Sequence, residues 1–99
     1  MENKYQINKI CFEKTVYPYC PMGNALYEAV VRVSLEPTEL FDFVEVDKQI
    51  EKLSGESLII EALTDEVCNL LSVYKPAKLL VQVEAHSNVH FPVTVEKYM

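Results

Sequence analysis

The fold of this chain is decided by the stretch Ser57-Leu58-Ile59-Ile60-Glu61-Ala62-Leu63-Thr64, which opens the strongest helical pattern in the sequence. Apolar residues recur there at helical spacing and make one stripe, formed by Ile59, Leu63, Val67, Leu70 and Leu71. Such a stripe predicts an amphipathic helix that packs its apolar side against a core. Ser57 is the predicted N-cap, and Lys75-Pro76 ends the helix because proline cannot continue it.

Glu61 lies among aliphatic residues in the first turn of this helix. Because Ile60 and Ala62 flank it, we expect its carboxylate to be partly buried, and a buried carboxylate needs a cation or an N–H group as its partner. Either a Lys or Arg reaches it from elsewhere in the fold, or it receives a ligand with paired N–H groups, such as the edge of a guanine or a pterin. The alternative is a solvated Glu that the helix dipole favours.

The sequence on both sides of this helix predicts four strands and a second, shorter helix. Four segments have the apolar patterns of strands, and they span residues 5–16, 26–35, 79–84 and 91–95. A slip near Asn8 indicates a bulge in the first of them, and the two prolines and Gly23 within 17–24 predict a loop. Apolar residues at helical spacing predict the short helix over 46–53.

This element order predicts an α+β fold, in which an antiparallel four-stranded sheet carries two helices on one face (ββααββ). Sheets from several subunits, placed side by side and closed into a ring, would remove the exposed sheet edges. We therefore expect a homo-oligomer.

Length, charge and cysteine content exclude several classes of function. A chain of 99 residues predicts a single domain over residues 1–99, too small to enclose a deep cleft, so the functional site is expected between subunits. A net charge of −6 counts against nucleic acid as a partner. The sequence has neither an apolar run of the ~18 residues that a membrane helix needs nor a signal-peptide pattern, so we expect a cytoplasmic protein without a membrane partner. Three cysteines without CxxC spacing indicate neither a disulfide framework nor a cysteine-rich zinc site.

Two motifs and the element order make the chain resemble the tunnelling-fold (T-fold) superfamily, in the branch of GTP cyclohydrolase I and the 7-cyano-7-deazaguanine reductases. Residues 61–67, followed by Val-Gln-Val-Glu-Ala at 81–85, resemble the cyclohydrolase pattern of a purine-anchoring Glu, Leu-Thr, an amphipathic helix and a strand that ends in Val-Glu-Ala. Tyr19-Cys20-Pro21 resembles the motif that opens the corresponding strand in cyclohydrolases and nitrile reductases. The resemblance implies that Glu61 accepts hydrogen bonds from the ring N–H and the amino group of a bound heterocycle.

The resemblance implies two catalytic roles for Cys20. In the cyclohydrolases the matching Cys is a zinc ligand, but no His follows Cys20 closely and the last-strand region holds no second Cys. The sequence thus argues against zinc, and we assign no metal ligands. In the nitrile reductases the matching Cys adds to the substrate nitrile to give a thioimide, which NADPH reduces; NADPH would then be the cofactor. The nitrile-reductase pattern also has an acidic residue a few positions after Cys-Pro, and this residue is absent from Met22-Gly23-Asn24-Ala25. A half-buried structural thiol remains the alternative.

Three further residues are predicted to complete the pocket. Glu45 lies in a short acidic segment that partly matches a reductase motif, and His86 and His90 flank a polar turn, where imidazoles can contact a ligand or simply face water. The resemblance implies a protein that binds a pterin, purine or deazapurine at a subunit interface, as a cyclohydrolase-like or nitrile-reductase-like enzyme of folate or queuosine biosynthesis. The alternative is a catalytically degenerate T-fold chain that acts as a binding or scaffold subunit.

Overall fold

An antiparallel sheet of four strands is the centre of the fold. The structure is a computed structural model, and it describes residues 2–99. The elements follow one another as β1 (Ile10–Val16), β2 (Tyr19–Cys20), β3 (Ala25–Leu26), β4 (Glu28–Glu36), α1 (Phe43–Glu51), α2 (Ile60–Ser72), β5 (Lys78–His86) and β6 (Val93–Tyr98). The long strands lie in the order β1-β4-β5-β6, while β2 and β3 form a separate small hairpin. The predicted α+β architecture is therefore confirmed.

One face of the sheet carries the apolar core. The register pairs Val31 with Val83, and Val83 with Val95, so that alternate side chains of neighbouring strands point to the same face. Helix α2 lays Leu63, Val67 and Leu71 on that face, and all three are buried. Removing these apolar side chains from water is the main driving force for the fold. Of the two helices described within residues 2–99, neither is long and apolar enough to cross a membrane.

Helix α2 begins two residues later than a Ser57 cap would place it. Its N-cap position is Ile59, which makes no side-chain capping hydrogen bond. Ser57 cannot serve as the cap because residues 56–58 run as an extended segment beside Tyr19, whose N–H donates to Glu56 O at 2.8 Å. The N–H of Leu58 returns a hydrogen bond to Tyr19 O at 2.9 Å. This tertiary pairing overrides the local capping preference and corrects the prediction.

The first strand is also shorter than its apolar pattern predicts, since β1 begins at Ile10. Upstream of it the backbone turns: Gln6 has a φ of 55°, and the N–H of Ile7 donates to Asn3 Oδ1 at 3.1 Å. Side-chain hydrogen bonds of this kind compete with strand pairing. The alternation from Tyr5 onward therefore belongs to a turn and not to the sheet.

The opposite face of the sheet is left uncovered by the helices and carries a charged network. The guanidinium of Arg32 donates to Glu13 Oε1 at 2.9 Å and to Glu84 Oε1 at 3.0 Å, and it also reaches Gln82. The other carboxylate oxygen of Glu84 lies 2.5 Å from His86 Nε2. The hydrogen bond from Arg32 is the largest cause that holds the pKa of Glu84 below its ordinary value of 4.5, and the hydrogen bond from His86 is the second.

This network predicts part of the acid sensitivity of the fold. A carboxylate whose pKa is lowered by folding stabilises the native state above its unfolded pKa, and that contribution disappears as the pH falls through the lowered value. We therefore expect the free energy of urea unfolding to decrease on acidification below about pH 4.5, and to decrease less steeply in Glu84→Gln. The exposed Glu66 on α2 provides a control, because Glu66→Gln should keep the wild-type slope. Equal slopes for all three proteins would contradict the assignment.

Candidate functional site

The small hairpin formed by β2 and β3 fixes the position of Cys20. Tyr19 pairs with Leu26 and Cys20 pairs with Ala25, and the turn between them is closed by a hydrogen bond from Asn24 N to Cys20 O at 2.8 Å. Within the turn the N–H of Gly23 donates to Cys20 Sγ at 3.4 Å. The thiol is therefore oriented by its own turn, and Cys20 is only half-buried.

The same hairpin brings the thiol to the start of α2. Backbone pairing of Tyr19 with residues 56–58 leads the chain directly into the first turn of the helix. As a result Cys20, Glu61 and His90, which come from three separate segments, line one cavity of about 410 Å³. Volumes of this order hold small ligands in many proteins. The structure thus brings together three of the five site residues predicted from the sequence.

Glu61 is exposed, which corrects the expectation of a partly buried carboxylate. The reason is helical geometry: Glu61 precedes the buried Leu63 by two residues and so lies roughly 200° around the helix from it. Its aliphatic neighbours in the sequence are therefore not its neighbours on the helix surface. Within residues 2–99 its side chain forms no ion pair and no hydrogen bond.

Tyr27 is a cavity residue that the sequence analysis missed. It is 6% exposed, and its hydroxyl donates to Leu58 O at 2.5 Å, which links the start of β4 to the segment before α2. Burial raises the pKa of Tyr27, and the neighbouring Cys20 and Glu61 raise it further. Tyr27 therefore remains a neutral hydroxyl. The sequence pattern could have indicated Tyr27, because a tyrosine in an apolar strand pattern needs a hydrogen-bond partner for its hydroxyl.

His90 has one ring nitrogen committed to the backbone. Its Nδ1 lies 2.6 Å from the carbonyl oxygen of Phe91, and because a carbonyl only accepts, Nδ1 is the donor. In the neutral imidazole the proton then sits on Nδ1, which leaves Nε2 as a proton acceptor. His90 can thus exchange a proton with a group bound in the cavity.

Glu45 and His86 lie outside this cavity. Glu45 is exposed on α1, where it accepts a hydrogen bond from Gln49 Nε2 at 2.7 Å. His86 is held by Glu84 on the uncovered face and lines a neighbouring cavity of about 280 Å³, which Tyr27 also lines. A role for these two residues in ligand binding stays a prediction. Across residues 2–99 no group of three or more His, Cys, Asp or Glu side chains is placed to hold a metal ion.

Comparison with known proteins identifies the fold. No family model matches the sequence, and no curated protein sequence matches it. Among solved structures, the chain is similar to an archaeosine synthase described as QueF-Like, solved in its apo form. The two share a TM-score of 0.83 and 16% sequence identity over 93% of each chain. The chain therefore has the T-fold that the resemblance implies.

Proposed function

We propose that this chain binds a planar nitrogen heterocycle, of pterin, purine or deazapurine type, in the cavity lined by Cys20, Glu61 and His90. The observation that carries the proposal is that a thiol, an imidazole and a carboxylate without an ion pair in residues 2–99 line the same cavity of about 410 Å³. The similarity of fold to an archaeosine synthase supports a deazapurine among these ligands.

The cavity suits a flat ring that carries N–H groups on one edge. Met22, Ile59, Ile60 and Val89 give it apolar walls, against which the faces of a ring can pack. Glu61 contributes two carboxylate oxygens, which can accept hydrogen bonds from a ring N–H and an adjacent amino group. Hydrogen bonds to a charged acceptor are stronger than neutral ones and fix the orientation of the ring.

The charges around the cavity favour a free base over a nucleotide. Among residues 2–99, which include all nine Lys and Arg residues, no Lys or Arg lines the cavity, and the only acidic residue that lines it, Glu61, would repel a phosphate. Four of the cations, Lys14, Arg32, Lys78 and Lys97, are engaged in ion pairs elsewhere. Of the two branches that the sequence resembles, the nitrile reductases therefore fit this chain better than an enzyme acting on GTP.

A second copy of the chain is proposed to close the cavity. Apolar side chains at its rim face water in the isolated chain: Met22 is 84% exposed, and Phe91, next to His90, is 76% exposed. Exposed apolar clusters on a small protein mark surfaces that bind a partner. Strands β1 and β6 also leave both edges of the sheet unpaired within residues 2–99, and pairing these edges between copies would bury them. Such an assembly would also withdraw Glu61 from solvent.

With a nitrile substrate, Cys20 would act as the nucleophile. The sulfur forms a bond to the nitrile carbon, one C–N π bond breaks, and the nitrogen takes up a proton to give a thioimide without a leaving group. Nε2 of His90 would accept the thiol proton and return it to the nitrogen. Reduction of the thioimide to an amine would take two hydrides, one from each of two NADPH molecules, together with two protons, and would release the thiol.

A binding-only role is the second candidate. The turn after Cys20, Met22-Gly23-Asn24-Ala25, contains no acidic residue, whereas the nitrile reductases that the chain resembles have one at this place. If proton transfer fails without it, the chain would hold the heterocycle and not turn it over.

A thermal-shift screen tests the proposed function. We expect guanine, 7-cyano-7-deazaguanine or neopterin to raise the melting temperature, because a ligand at 100 times its Kd stabilises the native state by about 2.7 kcal/mol. GTP should stabilise the protein less than guanine, because no Lys or Arg of the described part of the chain lines the cavity. No shift with any of the free heterocycles would contradict the proposal and favour the scaffold role.

A further inference from the structure

Gly23 lies where two segments of the cavity wall come together. It does not have the positive φ that requires glycine elsewhere, as Gly55 does. The reason for a glycine is space: a Cβ at residue 23 would lie 3.0 Å from Cγ2 of Val89 and 3.7 Å from Sγ of Cys20. The segment between β5 and β6 therefore packs onto the Cys20 turn at the one residue of that turn that has no side chain.

The contact between Gly23 and Val89 links the two groups of the proposed reaction, the Cys20 thiol and the His90 imidazole. On one side, the N–H of Gly23 donates to Cys20 Sγ at 3.4 Å, so a shift of residue 23 moves the donor that orients the thiol. On the other side, Val89 immediately precedes His90, and both line the cavity. The N–H of Val89 donates to Ser87 Oγ at 3.2 Å, which holds this segment in a turn. The contact between Gly23 and Val89 thus joins the part of the cavity wall that contains Cys20 to the part that contains His90.

We propose that Gly23 and Val89 form a positioning contact, which sets the separation between the Cys20 thiol and the segment that carries His90 and so controls the fit of the heterocycle. The proposal rests on the function proposed above for this cavity. Neither residue is a catalytic residue, since both act through the groups beside them. A Cβ at residue 23 forces Val89 to give way by a few tenths of an ångström, and removing the Val89 methyl groups makes room for that Cβ.

A double-mutant cycle tests the contact. Gly23→Ala should weaken binding of 7-cyano-7-deazaguanine about tenfold, because small misplacements of positioned groups are costly. Val89→Ala alone should have a smaller effect, and Gly23→Ala combined with Val89→Ala should recover affinity to within about threefold of the wild type. Independent, additive losses would overturn the proposal. Melting temperatures without ligand show whether the variants fold.

A second readout separates this proposal from the proposed function. The rate of alkylation of Cys20 by iodoacetamide reports on the surroundings of the thiol and needs no heterocycle. It is measured in a Cys11→Ser background, because Cys11 is exposed and Cys68 is buried. We expect Gly23→Ala to change this rate and the double variant to restore it. An alkylation rate that is unchanged in Gly23→Ala would overturn the proposed positioning contact. If the double variant restores the alkylation rate but no heterocycle binds, only the proposed function is contradicted.

Discussion

The Glu61→Gln variant is expected to bind 7-cyano-7-deazaguanine about 100-fold more weakly than the wild-type protein, a loss of about 2.7 kcal/mol. Glutamine keeps the size of the side chain but replaces one acceptor oxygen with an NH₂ donor, which opposes a donor on the ligand. Each hydrogen bond to a charged group contributes roughly 1.5–3 kcal/mol, so the loss of a paired interaction accounts for this magnitude. Isothermal titration calorimetry measures the two affinities directly.

The same variant should leave the fold nearly unchanged. Glu61 is exposed and forms no ion pair within residues 2–99, so only its favourable position in the first turn of α2 is lost. Charge effects at helix ends contribute about 0.3–1 kcal/mol. Glu66→Gln is the matched control, since Glu66 is exposed on the same helix but does not line the cavity. Equal affinities for wild type, Glu61→Gln and Glu66→Gln would remove Glu61 from the site.

The architecture could be predicted because it depends on local periodicity. Strands β4 and β5 alternate buried and half-buried residues along their length, and the stripe of α2 repeats at helical spacing. The pairing of Tyr19 with residues 56–58 could not be predicted in this way, because it joins segments almost forty residues apart. That long-range pairing moved the start of α2 away from Ser57. The strand β2, within a segment that reads as a loop, arises from its local pairing with β3.

The candidate site was predictable to the extent that it depends on residue chemistry. Cys20 and Glu61 were predicted from motifs that resemble those of the T-fold enzymes, and His90 was predicted from its place in a polar turn. All three line one cavity. Burial of Glu61 was wrongly predicted from its sequence neighbours, since the helix turns them to other faces. The contact of Gly23 with Val89 left no pattern in the sequence, because a close approach between two loops has no periodicity.

These features divide the site into a support, which is the first turn of α2 on the core, and a rim, which is the β2–β3 hairpin and the segment between β5 and β6. The core between the sheet and α2 holds the first turn of the helix, and with it Glu61, in place. The thiol and the imidazole instead come from a short hairpin and a connecting segment, which approach each other at Gly23 and Val89. The proposed function assigns ligand orientation to the support and the chemistry to the rim. Separate variants of Glu61 and Cys20 can test the two assignments independently.

The Cys20→Ala variant is expected to lose all covalent adduct with 7-cyano-7-deazaguanine while it keeps reversible binding. In the wild-type protein, addition of the thiol across the nitrile eliminates nothing, so the intact mass should increase by the mass of one nitrile molecule when NADPH is omitted. Alanine removes the nucleophile but leaves Glu61 and the apolar walls, and the Kd for reversible binding should change by less than about tenfold. Intact-protein mass spectrometry measures the adduct, and calorimetry measures the reversible binding.

Cys11→Ser is the matched control, because Cys11 is an exposed thiol on the uncovered face of the sheet and should not contribute to the adduct. Persistence of the adduct in Cys20→Ala would show that another residue reacts and would remove Cys20 from the proposed chemistry.

Binding to the wild-type protein without any adduct would instead select the binding-only role, in which the missing acidic residue after Cys20 prevents proton transfer to the nitrile nitrogen. A thioimide on Cys20 in the absence of that residue would assign the proton transfer to His90, and His90→Gln should then slow adduct formation without abolishing reversible binding.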